Sequence, residues 1–243
     1  MKKLIALAAA ATCGAALAVE SANIVGYNAT AITGGRFYLC STQFDTTGGT
    51  GAGMRICDLI SGEIPYGSQI QILNADGATY AIYKYLLEVY DADKDDFVPG
   101  WGDGGEELAT AKLAPGSAFW FKASGNCSVT ISGQILADSS KTLNINGGQF
   151  SMIANPYPAP VNPNALTWTG LSYGDQMQVL NDDGATYSIY RYLEESYDAT
   201  LDDFVPGWGD GGEEMVTTGI IPVGQGAWIK PKENLTVEWE SPL

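Results

Sequence analysis

Residues 74–107 of this chain return almost unchanged as residues 181–214. Only seven positions differ between the two stretches: Ala75/Asp182, Ala81/Ser188, Lys84/Arg191, Leu87/Glu194, Val89/Ser196, Asp93/Thr200 and Lys94/Leu201. Laying Gly67 on Gly174 sets an offset of 107 residues. The likeness continues more loosely outside that block. Gly34-Gly35-Arg36-Phe37 answers Gly147-Gly148-Gln149-Phe150, and Pro115 to Lys122 answers Pro222 to Lys230 with one residue inserted. Such a match marks an internal duplication, so the chain must build one kind of unit twice. The boundaries that follow are a leader at residues 1–18, a first repeat at 19–133 and a second at 134–243.

Each copy has the periodicity of strands. Gln69-Ile70-Gln71-Ile72-Leu73 alternates polar and apolar, and Gln176 to Leu180 does the same; a period of two places alternate residues on opposite faces of a sheet. Asn74-Ala75-Asp76-Gly77 and Asn181-Asp182-Asp183-Gly184 are turn sequences, and the Tyr- and Ile-rich stretch after each turn completes a predicted hairpin. A helix over Tyr80–Tyr90 competes because Leu86-Leu87-Glu88 favour helix, but Ser196 and the tyrosines favour a sheet. Phe119-Trp120-Phe121 and Ala227-Trp228-Ile229 read as short buried strands, and Cys127 to Ile131 and Leu235 to Trp239 as closing strands. The expected fold is all-β: two tandem homologous β-sandwich or barrel-like repeats after a cleaved signal peptide. Ile24-Val25-Gly26-Tyr27-Asn28 is similar to Ile131-Ser132-Gly133-Gln134-Ile135, so each repeat is expected to open with a strand just after such a glycine.

Lys2 and Lys3, the apolar Leu4–Ala11 and the small-x-small Ala16-Leu17-Ala18 have the form of an export signal, too short to span a bilayer. The expected location is secreted or cell-surface, with no later membrane span. Removal of the leader takes the formal net charge from −16 to −18. So acidic a chain is repelled by phosphate backbones, which argues against nucleic acid as a partner. Cys40, Cys57 and Cys127 survive cleavage; an oxidising compartment permits one disulfide and leaves an odd thiol. Cys40 and Cys127 align with Ile153 and Leu235 and are expected in the core. The chain has no His, which removes the commonest general base and the commonest zinc ligand. The expectation is a protein that is not an enzyme.

The Ser21-Ala22-Asn23-Ile24-Val25-Gly26-Tyr27 start, the Ile153-Ala154-Asn155-Pro156-Tyr157 stretch and the Pro222–Trp228 run resemble a group of uncharacterised secreted bacterial β-repeat proteins. The resemblance covers most of the mature chain and implies export and fold only, since no activity is established for that group. The first repeat departs from its pattern, with Ser41-Thr42-Gln43-Phe44 where the second has Ala154-Asn155-Pro156-Tyr157.

The acids are crowded. Glu88, Asp91, Asp93, Asp95, Asp96, Asp103, Glu106 and Glu107 share one segment; Glu194, Glu195, Asp198, Asp202, Asp203, Asp210, Glu213 and Glu214 share its counterpart. A hard cation relieves such crowding, because calcium takes six to eight oxygens. The EF-hand spacing that opens at Asp91-Ala92-Asp93-Lys94-Asp95 breaks at Asp96 and Gly102, so a different loop is needed. The candidate calcium ligands are the acids present in both copies: Asp91/Asp198, Asp95/Asp202, Asp96/Asp203, Asp103/Asp210 and Glu106/Glu213. A solvated acidic loop is the plain alternative. Trp101 and Trp208, in Pro-Gly-Trp-Gly-Asp-Gly-Gly, read as loop residues able to stack on a sugar, whereas Tyr83, Tyr85, Trp120 and Trp228 read as core. Two functions follow as expectations. One is a secreted structural or surface protein with calcium-stabilised loops, whose copies assemble head to tail when the second repeat accepts residues 19–32 of another copy. The other is a carbohydrate-binding module using the Trp101 and Trp208 loops, with an extracellular glycan as partner. A glycosidase built on paired carboxylates ranks third.

Overall fold

The strands follow from alternation, and their pairing decides which face each residue serves. A computed structural model describes residues 25–45, 51–212 and 214–242; the leader, Val19–Ile24 and Glu213 lie outside the described residues. The N-terminal half contains β1 (Val25–Ile32), β2 (Phe37–Ser41), β3 (Met54–Arg55), a single helical turn α1 (Ile56–Leu59), β4 (Ile60–Ser61), β5 (Gln69–Leu73), β6 (Tyr80–Asp91), β7 (Asp96–Gly102), β8 (Lys112–Leu113), β9 (Ala118–Lys122) and β10 (Cys127–Gln134). The C-terminal half contains β11 (Ser140–Ile145), β12 (Ser151–Ala154), a 3-10 turn at Pro163–Ala165, β13 (Thr167–Thr169), β14 (Gln176–Leu180), β15 (Tyr187–Asp198), β16 (Asp203–Gly209), β17 (Gly226–Lys230) and β18 (Leu235–Glu240). The chain is all-β, and the competing helix over Tyr80–Tyr90 is instead the long strand β6.

Both halves use one plan. A five-stranded antiparallel sheet runs β2-β9-β5-β6-β7 in the first and β12-β17-β14-β15-β16 in the second; three-stranded sheets run β1-β10-β4 and β11-β18-β13. The expected hairpins are β5–β6 and β14–β15, in register from Leu73↔Tyr80 and Leu180↔Tyr187. Their turns are built by aspartate: Asp76 Oδ1 accepts from the Ala78 and Thr79 amides at 2.9 Å, and Asp183 Oδ1 from Ala185 and Thr186 likewise. Gly77 (φ +65°) and Gly184 (φ +67°) take the left-handed conformation such a turn requires.

One face of each five-stranded sheet packs on the adjoining three-stranded sheet. In the first half this core joins Ile70, Trp101, Phe119 and Phe121 to Ile32, Ile60, Val129 and Ile131; in the second it joins Met177, Trp208, Ala227 and Ile229 to Ile145, Leu235 and Val237. Ile70, Phe119 and Phe121 are wholly buried, each contributing about 2–3 kcal/mol of hydrophobic stabilisation.

The expectation about strand starts is corrected. Gly26 lies inside β1 and Gly133 inside β10, paired directly across the ladder, and the first strand of the second half begins at Ser140. The two glycines are there because Phe44 lies over both: a Cβ at Gly26 would stand 2.6 Å from Phe44 Cε1, and one at Gly133 would meet Asp45 O at 2.6 Å and Phe44 Cβ at 3.0 Å. The cysteines follow expectation in part, Cys40 lying in the core and Cys127 packing against it. Cys40, Cys57 and Cys127 are all free thiols; Cys40 is buried, Cys127 only half-buried.

The halves meet reciprocally. Ser41 N donates to Gly224 O at 3.0 Å, and its counterpart Ala154 N donates to Gly116 O at 3.0 Å. Cys40 bridges Gln225 as Ser117 bridges Ile153. Gly77 lies against Gln149 and Phe150, as Gly184 lies against Arg36 and Phe37. Each half thus offers the same patch to the other, an isologous contact that closes on itself. Within the chain the arrangement is therefore not head to tail.

Candidate functional site

The acidic turns place their carboxylates on their own backbone. In the turn from β6 to β7, Asp91 accepts from the Asp93 amide at 3.0 Å and pairs with Lys94 at 2.8 Å; that lysine holds its carboxyl below the ordinary range. Asp95, at φ +53°, accepts from the Tyr90 hydroxyl at 2.6 Å, and Asp96 from the Phe97 amide at 2.8 Å. Asp103 accepts from the Gly105 amide at 3.2 Å. Asp198, Asp202, Asp203 and Asp210 repeat these contacts with Thr200, Tyr197, Phe204 and Gly212. Glu106 keeps its side chain in solvent while its carbonyl accepts from the Tyr90 amide at 2.6 Å; Glu213 lies outside the described residues. Among the described residues no group of three or more His, Cys, Asp or Glu is placed to hold a metal ion. Short aspartate side chains hydrogen-bond amides one to three residues on, so the conserved spacing between copies is accounted for by turn building.

Trp101 and Trp208 are corrected from loop to core. Both lie in edge strands, β7 and β16, and are 1% exposed. Trp101 sits between Tyr85 (5.4 Å, 70°) and Phe121 (6.1 Å, 74°); Trp208 packs on Trp168 at 5.5 Å and Tyr192 at 5.9 Å. Neither indole can meet a ligand without unpacking its half. The Pro-Gly and Gly-Asp-Gly-Gly residues around them look like loop in the sequence. In the fold the Pro-Gly residues belong to strands, and Gly100 and Gly207 are where Leu108 Cδ1 and Met215 Cε pack close on the backbone.

Of the tryptophans assigned to the core, Trp120 is buried (8% exposed) and Trp228 packs half-buried against it, in a second cluster away from the sheet-on-sheet core. Strand alternation puts Phe119 and Phe121 on the core face of β9 and Trp120 on the opposite one; Trp228 occupies the same position on β17. These opposite faces of the two five-stranded sheets face each other. Leu39, Ala118, Trp120, Ala154 and Leu180 form a shared cluster, with Phe37, Tyr80, Met152 and Trp228 against it. The cluster stops short of filling the space, leaving a cleft of about 350 Å³ lined by Gly77, Tyr80, Trp120, Phe150, Gln178, Tyr187 and Trp228.

The rings are continuous across the contact. Phe37 meets Trp120 edge-on at 5.8 Å, Trp120 meets Trp228 at 6.3 Å, and Trp228 meets Phe150 edge-on at 5.8 Å. Lys122 lies 4.8 Å from the Phe37 centroid and Lys230 5.1 Å from that of Phe150, so an ammonium stands over each end. Burial raises the Tyr187 phenol above its ordinary range, as does the neighbouring Tyr80, against a hydrogen bond from Trp228. A concave site with large aromatic walls and a few polar groups is the usual form of a small-molecule site. The signal for it in the sequence is the alternation Gln69-x-Gln71 beside Phe119-Trp120-Phe121, which sets Trp120 among polar neighbours; it becomes legible only once register is known.

No family model, curated protein or solved structure matches the chain.

Proposed function

We propose that this chain is an exported, non-catalytic binding protein whose ligand is a carbohydrate, held in the cleft between the two halves. The observation that carries the reading is the unbroken aromatic run Phe37–Trp120–Trp228–Phe150, flanked by Tyr80 and Tyr187. Sugar rings present flat C–H faces that stack on indole and phenol, while their hydroxyls need amide and hydroxyl partners such as Gln178, Tyr80 and Tyr187. Among the described residues the cleft is lined by no carboxylate or thiol, which supports binding without turnover. In this reading each half is a pair of packed sheets that arose by duplication, and the duplication made the site by giving one half a twin to face.

The test is glycan-array binding by the mature protein, followed by titration of any ligand found. Trp228→Ala should lose at least about tenfold in affinity, the equivalent of about 1.4 kcal/mol. Unchanged binding by a folded Trp228→Ala protein would move the site elsewhere, and no binding to any glycan by the wild type would end the reading.

A second reading keeps calcium and a structural role. It draws on one observation: the two acidic turns of each half lie side by side, because Leu108 N donates to Tyr90 O and Met215 N to Tyr197 O at 3.0 Å. Asp95 and Asp103 each use a single oxygen in the present contacts, so calcium bridging would draw on their second oxygens. A melting temperature raised several degrees by calcium over EDTA would support it. Head-to-tail assembly through residues 19–32 would require β1 to leave β10, with which it pairs from Val25↔Gln134 to Ile32↔Cys127. The edges of β18 are already taken by β11 and β13.

A further inference from the structure

The sheet faces that flank the cleft carry rows of charge of one sign, in a chain whose overall charge is of the other. In the first half the ladder aligns Lys122 with Gln69, and Gln69 with Lys84, across β9, β5 and β6. In the second it aligns Lys230 with Gln176, and Gln176 with Arg191, across β17, β14 and β15. Two residues along lie the rows Trp120–Gln71–Ile82 and Trp228–Gln178–Ile189. Residues two apart on a strand share a face, so each half presents an apolar row beside a cationic row. Ile82 (46% exposed) and Ile189 (44%) extend the apolar rows out of the cleft.

The segregation is marked. These rows hold Lys84, Lys122, Arg191 and Lys230, one third of the chain's 12 basic side chains, and none of its 28 acids. Aspartates stand near one end, in the hairpin turns, but Asp76 and Asp183 are engaged by Thr79 and Thr186 through backbone and hydroxyl alike. A strongly acidic protein has no solubility reason to set its scarce cations at both ends of one aromatic run. Beyond about 8 Å at physiological salt the remaining acids are largely screened, so a bound ligand responds chiefly to the cations beside it. Within a row the two cations are two strands apart, about 10 Å, a separation that suits charges carried on alternate sugars.

We infer that the ligand of this cleft is an acidic polysaccharide, its sugar faces stacked on the Trp120 and Trp228 rows and its carboxylates on the Lys122/Lys84 and Lys230/Arg191 rows. The inference rests on the carbohydrate reading above and specifies its ligand.

The test uses paired probes that differ only in charge: polygalacturonate, alginate and hyaluronate, each beside its carboxyl-reduced form, titrated into the mature wild-type protein. At least one acidic glycan should bind about tenfold or more tightly than its reduced partner, as expected from two to four partly exposed charge contacts. That preference should shrink as salt is raised. Lys122→Gln/Lys230→Gln, which removes two of the four cations, should at least halve the preference while leaving affinity for the reduced form and the melting temperature unchanged; Trp228→Ala should weaken both forms together. Equal affinity for acidic and reduced forms, or a preference undiminished by the double lysine replacement, would overturn the inference and leave the carbohydrate reading standing. Binding to no acidic glycan while neutral glycans bind would do the same. Binding to no glycan of either kind would overturn both.

Discussion

Replacing one tryptophan from each class separates core from cleft within a single repeat plan. Trp101 is 1% exposed and contacts Tyr85 and Phe121 edge-on. Trp101→Ala removes the largest fully buried side chain among the described residues of its half, and a large-to-small change of this kind costs about 3–5 kcal/mol because the surroundings collapse only partly. For a chain of this size each kcal/mol lowers the melting temperature by about 2–4 °C, so a fall of about 6–20 °C is expected. Trp228 is half-buried and contacts Trp120 and Phe150 at one wall of an open cleft. Trp228→Ala should cost only about 1–2 kcal/mol, the value of such ring contacts plus partial burial, yet it should remove glycan affinity. Differential scanning calorimetry and titration calorimetry on the same preparations read both quantities. Trp101→Phe, which keeps an aromatic ring in place, should recover most of the stability, and its affinity should match the wild type. The reasoning fails if Trp101→Ala melts like the wild type but no longer binds, for then Trp101 would be the exposed residue its glycine-rich surroundings suggest.

Three further outcomes follow from buried groups and turns. Ser196 is fully buried with its hydroxyl unpartnered, where the first half has Val89; Ser196→Ala should stabilise by about 1–2 kcal/mol, and a lower melting temperature would show that the hydroxyl has a partner. Burial pushes the Cys40 thiol up to about 12, so iodoacetamide at pH 8 should modify Cys40 only after unfolding in guanidinium; rapid labelling of the native protein would contradict its place in the core. The Thr186 hydroxyl and amide, with the Ala185 amide, bring Asp183 down to about 2, below the unfolded value of about 3.9. Its stabilising contribution is therefore present above about pH 4 and lost as pH falls towards 2. Acid melts of Asp183→Asn should show a shallower loss over that window, and an identical slope would mean the turn does not hold the carboxylate.

The acidic ribbons show how similar residues can be kept for a local reason. Asp95 and Asp202 stand at positive φ and accept from a tyrosine hydroxyl, while Asp103 and Asp210 each turn back on a glycine amide two residues ahead. Each is a device for closing a turn between long strands. A reading of charge density alone assigns them to a cation, because it counts carboxylates without knowing where they point.

The sequence by itself determined the duplication, the all-β class, the hairpins β5–β6 and β14–β15 and the chemistry of their turns. All of these depend on residues within a few positions of one another, where alternation and Asx-turn bonding act directly. It also determined that Trp101 and Trp208, and Trp120 and Trp228, would share fates as pairs. Only the tertiary structure decided what those fates are. Which face of β9 meets the three-stranded sheet and which meets the twin half depends on register between strands far apart in the chain, and a shift by one residue would exchange the two. The reciprocal contact of Ser41 with Gly224 and Ala154 with Gly116 joins segments far apart in the chain, and no local pattern encodes it. The cleft exists because two copies of one sheet, each with an aromatic and cationic outer face, are turned towards each other.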